Sequence, residues 1–143
     1  MYRRTLLGGL SVTFGGLAGC QAPLVSGPPR IDLELYNYTP DPQPVQIRVL
    51  RTDRDEYDDA RVFSREFEVP SRSDEASAGT LKENDIVERR PYLLRVRPKF
   101  GDGQWYHHHY YPGESATDED SVSLDIRLRQ EESTGDVYPR FSI

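Results

Sequence analysis

From Arg30 onward, apolar and polar positions alternate with a period of two, which is how a strand reads when one of its faces is buried. Ile31, Leu33 and Leu35 fall on one side, Asp32, Glu34 and Tyr36 on the other. Thr39-Pro40-Asp41-Pro42-Gln43-Pro44 stops this run, because proline supplies no ladder donor. Val45, Ile47 and Val49 resume the alternation against Gln46 and Arg48, and an acidic loop from Asp53 to Asp59 follows. In the third run Phe63, Phe67 and Val69 share a face opposite Glu66 and Glu68, and Pro70 ends it. Ser71 to Asp85 has no strong period and predicts a crossing between sheets, with Leu81 or Ile86 packing beneath. Tyr92, Leu94 and Val96 then alternate with Leu93, Arg95 and Arg97 up to Pro98, and Phe100-Gly101-Asp102-Gly103 is a turn by composition. A fifth run, Gln104 to Tyr111, is aromatic enough to favour a strand. Val122, Leu124, Ile126 and Leu128 form the clearest strand of all, and Gly135 turns the chain into Val137, Phe141 and Ile143.

Seven turn-bounded strands without an amphipathic helix predict an all-β fold, an antiparallel β-sandwich of about seven strands. The pattern resembles the immunoglobulin-like or fibronectin-like sandwiches of surface proteins, although the Cys and Trp spacing of antibody domains is absent. An eight-stranded jelly roll or a small barrel is the alternative closure of the same strands.

Residues 1 to 19 read differently. Arg3 and Arg4 open a weakly apolar stretch from Thr5 to Leu17, broken by Gly8, Gly9, Gly15 and Gly16, and small residues lead to the only cysteine, Cys20. This is the three-part layout of an export signal, and it is too short and too glycine-rich for a spanning helix of about 20 apolar residues. Arg3-Arg4-Thr5-Leu6-Leu7 resembles the twin-arginine export motif, with the general secretory route as the alternative. Leu17-Ala18-Gly19-Cys20 resembles a lipobox, which implies that a lipid is attached to Cys20 after cleavage; the competing role for a lone cysteine is a small buried hydrophobe. One acyl chain holds a protein only marginally, so a two-chain lipid is expected. Residues 20–30, rich in Pro and Gly, then serve as a tether, and 31–143 form the domain.

Cleavage before Cys20 leaves 124 of the 143 residues, enough for one core. It removes two of the 18 basic residues and no acid, leaving 16 against 24 acidic residues, a net charge near −8. Such a surface repels phosphate backbones, so no nucleic-acid partner is expected. The cations are almost all Arg; Lys82 and Lys99 are the only lysines. Together with the leader, this acid-rich, lysine-poor composition resembles the small lipoproteins of salt-loving archaea. The resemblance implies display outside the cytoplasmic membrane and supplies no ligand.

Few residues carry candidate chemistry. His107 and His109, on one strand face about 7 Å apart, could share a zinc or copper ion with a neighbouring carboxylate; a solvated outer face is the plainer role. Trp105, Tyr106, Tyr110 and Tyr111 could stack on a sugar ring, although Trp105 and Tyr111 are expected to line the core edge. The acidic loops at Asp53 to Asp59 and Asp118 to Asp120 could hold calcium, but lack a fixed ligand spacing. Asn37-Tyr38-Thr39 fits the N-glycosylation pattern, with Pro40 directly after it. No G-x-S-x-G elbow, H-E-x-x-H helix or phosphate-cradling glycine loop occurs, so neither an enzyme nor a cofactor is expected. The sequence thus reads as a lipid-anchored, externally displayed, non-catalytic sandwich that interacts with envelope components, proteins or glycans. A metal- or glycan-binding accessory using the Trp105 to Tyr111 strand is the alternative.

A net charge near −8 with carboxylates crowded into loops repels itself most at low ionic strength, where the Debye length reaches about 30 Å at 0.01 M. The melting temperature should therefore rise between dilute buffer and molar salt, measured by circular dichroism. A flat response would remove charge repulsion as a determinant of stability.

Overall fold

Alternation fixes which side chains face inward, and burial then decides how the strands pair. The computed structural model describes residues 27–113 and 122–142. Within them the chain forms β1 (Arg30–Asn37), β2 (Gln43–Arg51), a single helical turn α1 (Tyr57–Ala60), β3 (Arg61–Val69), β4 (Gly79–Glu88), β5 (Tyr92–Pro98), β6 (Tyr106–Tyr110), β7 (Val122–Gln130) and β8 (Val137–Ser142). No helix among these residues is long and apolar enough to cross a membrane.

The strands make two four-stranded sheets, β4-β1-β7-β8 and β3-β2-β5-β6. Ile31, Leu33 and Leu35 of β1 and Leu124, Ile126 and Leu128 of β7 join Val45, Ile47 and Val49 of β2 and Tyr92, Leu94 and Val96 of β5 in one buried cluster. Complete burial of one such aliphatic side chain is worth about 1.5–3 kcal/mol, so these rows outweigh any local preference. The apolar faces read from the sequence are the faces that close the sandwich.

Three features differ from the expectation. The first is the number of strands, eight instead of about seven. The stretch read as a crossing holds only a short one, and Gly79–Glu88 forms edge strand β4 against β1. Its period is broken by a bulge: Asp85 takes a left-handed backbone (φ 54°), its amide donates to Asp32 Oδ1 at 2.9 Å, and its carbonyl accepts from Arg30 Nε at 2.8 Å. Leu81 and Ile86 both pack against the core, on either side of that irregularity.

The second is polarity. β1 pairs with β7 in parallel, Ile31 beside Val122 through Asn37 beside Leu128, while all other pairs are antiparallel. The third is strand order. An immunoglobulin constant domain keeps its first two strands in one sheet; here β1 and β2 lie in opposite sheets.

The chain crosses between the sheets directly after Asn37, and Asn37 itself builds the corner. Its side chain is fully buried. Its amide faces the carbonyls of Asp41 (2.8 Å), Pro70 (3.0 Å) and Val69 (3.3 Å), and its Oδ1 accepts from the Thr39 amide at 2.9 Å. Buried Thr39 and Gln43 extend the network, with Gln43 Nε2 donating to Thr39 Oγ1 at 3.0 Å. The nitrogen that would carry a glycan in the glycosylation reading is enclosed here and engaged by three carbonyls. Gly79, paired with Asn37 across β1 and β4, completes the corner. A Cβ there would lie 1.9 Å from the Pro70 carbonyl oxygen, which is backbone and cannot swing aside.

Replacing Asn37 with Ala strands several buried backbone groups, each worth about 1–3 kcal/mol when left unpaired. We expect Asn37→Ala to lose about 3 kcal/mol in urea unfolding, and Gly79→Ala at least as much, whereas Gly27→Ala, in open space, should change little. A loss under about 1 kcal/mol for both corner variants would show that the crossing is held elsewhere.

Candidate functional site

The outward positions of β2, β5 and β6 fall into register and collect one kind of charge. Arg48 lies opposite Arg95, Arg95 opposite His107, and Arg97 opposite Gln46. Trp105, just before β6, is half-buried on this face. The guanidinium carbons of Arg48, Arg97 and Arg95 stand 4.5, 4.8 and 4.9 Å from its ring centroid. Arg48 Nη1 donates to the Tyr57 hydroxyl at 2.8 Å and Arg97 Nη2 to Gln46 Oε1 at 2.8 Å. Buried Nε atoms of Arg48 and Arg95 have no hydrogen-bond partner.

Among the described residues no carboxylate pairs with any of these three arginines. The ion pairs use Arg51, Arg61, Arg65, Lys82, Arg90 and Lys99 instead. Glu66, the nearest outward acid of β3 in register with Gln46, is engaged by Lys99 at 2.7 Å.

The cluster sets mutual repulsion against attraction to the indole. Since each guanidinium carbon lies within 5 Å of one centroid, no two are more than about 10 Å apart, one Debye length at 0.1 M. At that separation and an effective dielectric constant of about 20, each pair repels by about 1.7 kcal/mol, so three pairs cost about 5 kcal/mol before screening. A cation over an indole gains about 0.5–1 kcal/mol when exposed and about 2 kcal/mol when desolvated. Three such contacts return about 1.5–6 kcal/mol, comparable to the repulsion, and an anion on this face would add a further attraction.

The candidate residues fare differently. His107 and His109 are exposed on this outer face. Their cross-strand neighbours are Arg95 and Leu93, a guanidinium repels a cation, and the described residues contain no group of three or more His, Cys, Asp or Glu able to hold a metal. Trp105 does not line the core edge; it lies on the outer face among three arginines. Tyr111 is 63% exposed and stacks on His109 at 6.3 Å, while Tyr110 points into the core. In the first acidic loop Asp53 is taken bidentately by Arg51 at 2.8 and 2.6 Å, which holds its carboxyl down to about 2. Residues 118–120 of the second loop, and Arg3, Arg4 and Cys20, lie outside the described residues.

The outer face of the other sheet offers a contrast. Lys82 bonds both Asp32 (3.2 Å) and Glu34 (3.0 Å). The Tyr36 hydroxyl donates to Glu34, and that bond pushes the phenol up to about 12. Acids and bases are interleaved there, and Arg127 and Arg129 lie over Tyr36 and Tyr38; on β2, β5 and β6 three arginines meet at one ring.

No family model matches this chain, and no curated protein matches it. Among solved structures it is similar to Serratia marcescens Lip, a membrane-bound component of the type VI secretion system. The two are 15% identical, the match covers 81% of this chain and 100% of that one, and the TM-score is 0.41. A likeness of that degree carries no argument about activity.

His108 faces inward from the same strand and stacks on Phe141 at 4.7 Å, with its Nε2 buried and unpartnered. Burial, and then the charge of His109, lower its affinity for a proton below the ordinary imidazole value. The unfolded chain therefore binds more protons below about pH 6.5. Stability should be fully present above that pH and fall as pH drops through it toward the folded value. His108→Phe, which keeps a ring against Phe141, should flatten this slope in urea titrations between pH 7 and 5. An unchanged slope would assign it to other groups.

Proposed function

We propose that this protein is a lipid-anchored, externally displayed, non-catalytic β-sandwich module that engages another component of the cell envelope through the outer face of β2, β5 and β6. The observation that carries the binding role is the gathering of Arg48, Arg95 and Arg97 around Trp105 with no acid of the described residues to neutralise them. Aromatic and arginine side chains are the types that dominate interface energetics. The observation that supports the anchor is the Leu17-Ala18-Gly19-Cys20 sequence behind Arg3-Arg4.

The anchor is tested by Cys20→Ser. The variant should move from washed membranes to the soluble fraction, and a lipid mass on the N-terminal peptide should disappear with it. Replacing Arg3 and Arg4 by Lys should leave the protein inside the cell. If Cys20→Ser sediments with membranes as the wild type does, the anchor reading fails.

A further inference from the structure

We propose that the Arg48, Arg95 and Arg97 face is a docking site for an acidic segment of a partner protein. The proposal deepens the binding role above and does not depend on the anchor. Charge complementarity is the first argument: three cations without carboxylates face outward on a chain that has 24 acids to 18 bases. Such segregation is the pattern expected where opposite charge arrives from outside.

Geometry favours carboxylates on an extended peptide. Guanidinium forks bind carboxylates bidentately. Residues i and i+2 of an extended strand stand about 7 Å apart, and no two of the three guanidinium carbons can be more than about 10 Å apart. Tyr57 and Gln46 position the forks of Arg48 and Arg97, and the Nε atoms of Arg48 and Arg95 are buried without a hydrogen-bond partner. A membrane surface fits less well, because the indole at the centre is covered by guanidiniums and offers nothing to insert. The same cover disfavours a glycan ring.

Trp105 is the only tryptophan in the chain and sits at the site, so its fluorescence reports occupancy directly. The test titrates the full chain in neutral detergent micelles with a ten-residue oligoglutamate peptide. Parallel titrations use inorganic phosphate, phosphatidylglycerol vesicles and polygalacturonate. We expect a saturable change with oligoglutamate that weakens with salt and is lost by about tenfold or more in Arg95→Gln. Arg127→Gln, on the opposite face, should bind as the wild type.

Removing one of three mutually repelling cations should leave the melting temperature unchanged or raise it, which a purely structural arginine would not do. Should Arg95→Gln not fold, Arg95→Lys keeps the charge and loses the fork, and should weaken the peptide several-fold. Cys20→Ser should bind oligoglutamate as the wild type does, so loss of the anchor and loss of the site are read separately. The proposal is overturned if no saturable change occurs, or if the arginine variants bind normally. It is equally overturned if vesicles, phosphate or polygalacturonate saturate the signal at a lower concentration of anionic groups than oligoglutamate.

Discussion

The fold turns on a polar corner at the point where the chain leaves one sheet for the other. A chain that changes sheets leaves both ladders, and its backbone groups must be satisfied by something other than a neighbouring strand. Asn37 does this, bonding to Asp41, Val69 and Pro70 and to the Thr39 amide. It therefore links the β1–β2 crossing to the β3–β4 crossing. Gly79 is the matching negative requirement, since any side chain there would occupy the Pro70 carbonyl. Together these residues allow β1 and β2 to lie on opposite sides of a single core. Hydrophobic rows favour a sandwich; this corner decides which.

With the interior settled by apolar rows, the two outer faces become free to carry different charge. On one, Lys82 lies between Asp32 and Glu34, and Tyr36 bonds Glu34, so local charges are matched within the domain. On the other, the same alternation that buries Val45, Ile47, Leu94 and Val96 turns Arg48, Arg95 and Arg97 outward onto Trp105. No carboxylate among the described residues pairs with those three guanidiniums, so their charge is shared only with the indole and with neutral partners.

Much of this was legible from the sequence, and the reasons it stopped are physical. Period two marked the inward rows of β1, β2, β5 and β7, because strands buried on one face must alternate. It failed at β4, where the Asp85 bulge shifts phase midway and the edge position leaves polar residues on both sides. Asn37 showed a local motif suited to a surface, while two of its partners, Val69 and Pro70, are 32 and 33 positions away in sequence. Strand alternation puts Trp105 on the same face as His107 and His109, but the phase alone does not say which side is inside. The arginines were visible as outward polar positions; that three of them meet one indole depends on the register of β2, β5 and β6.

The parallel pair at the centre of one sheet has a consequence for how the chain is made. Ile31 of β1 sits beside Val122 of β7, 91 positions later. Non-local pairing of this kind must wait for loop closure across nearly the whole domain. During synthesis β1 therefore emerges long before its parallel neighbour, and the first sheet can be completed only when almost all of the chain is free.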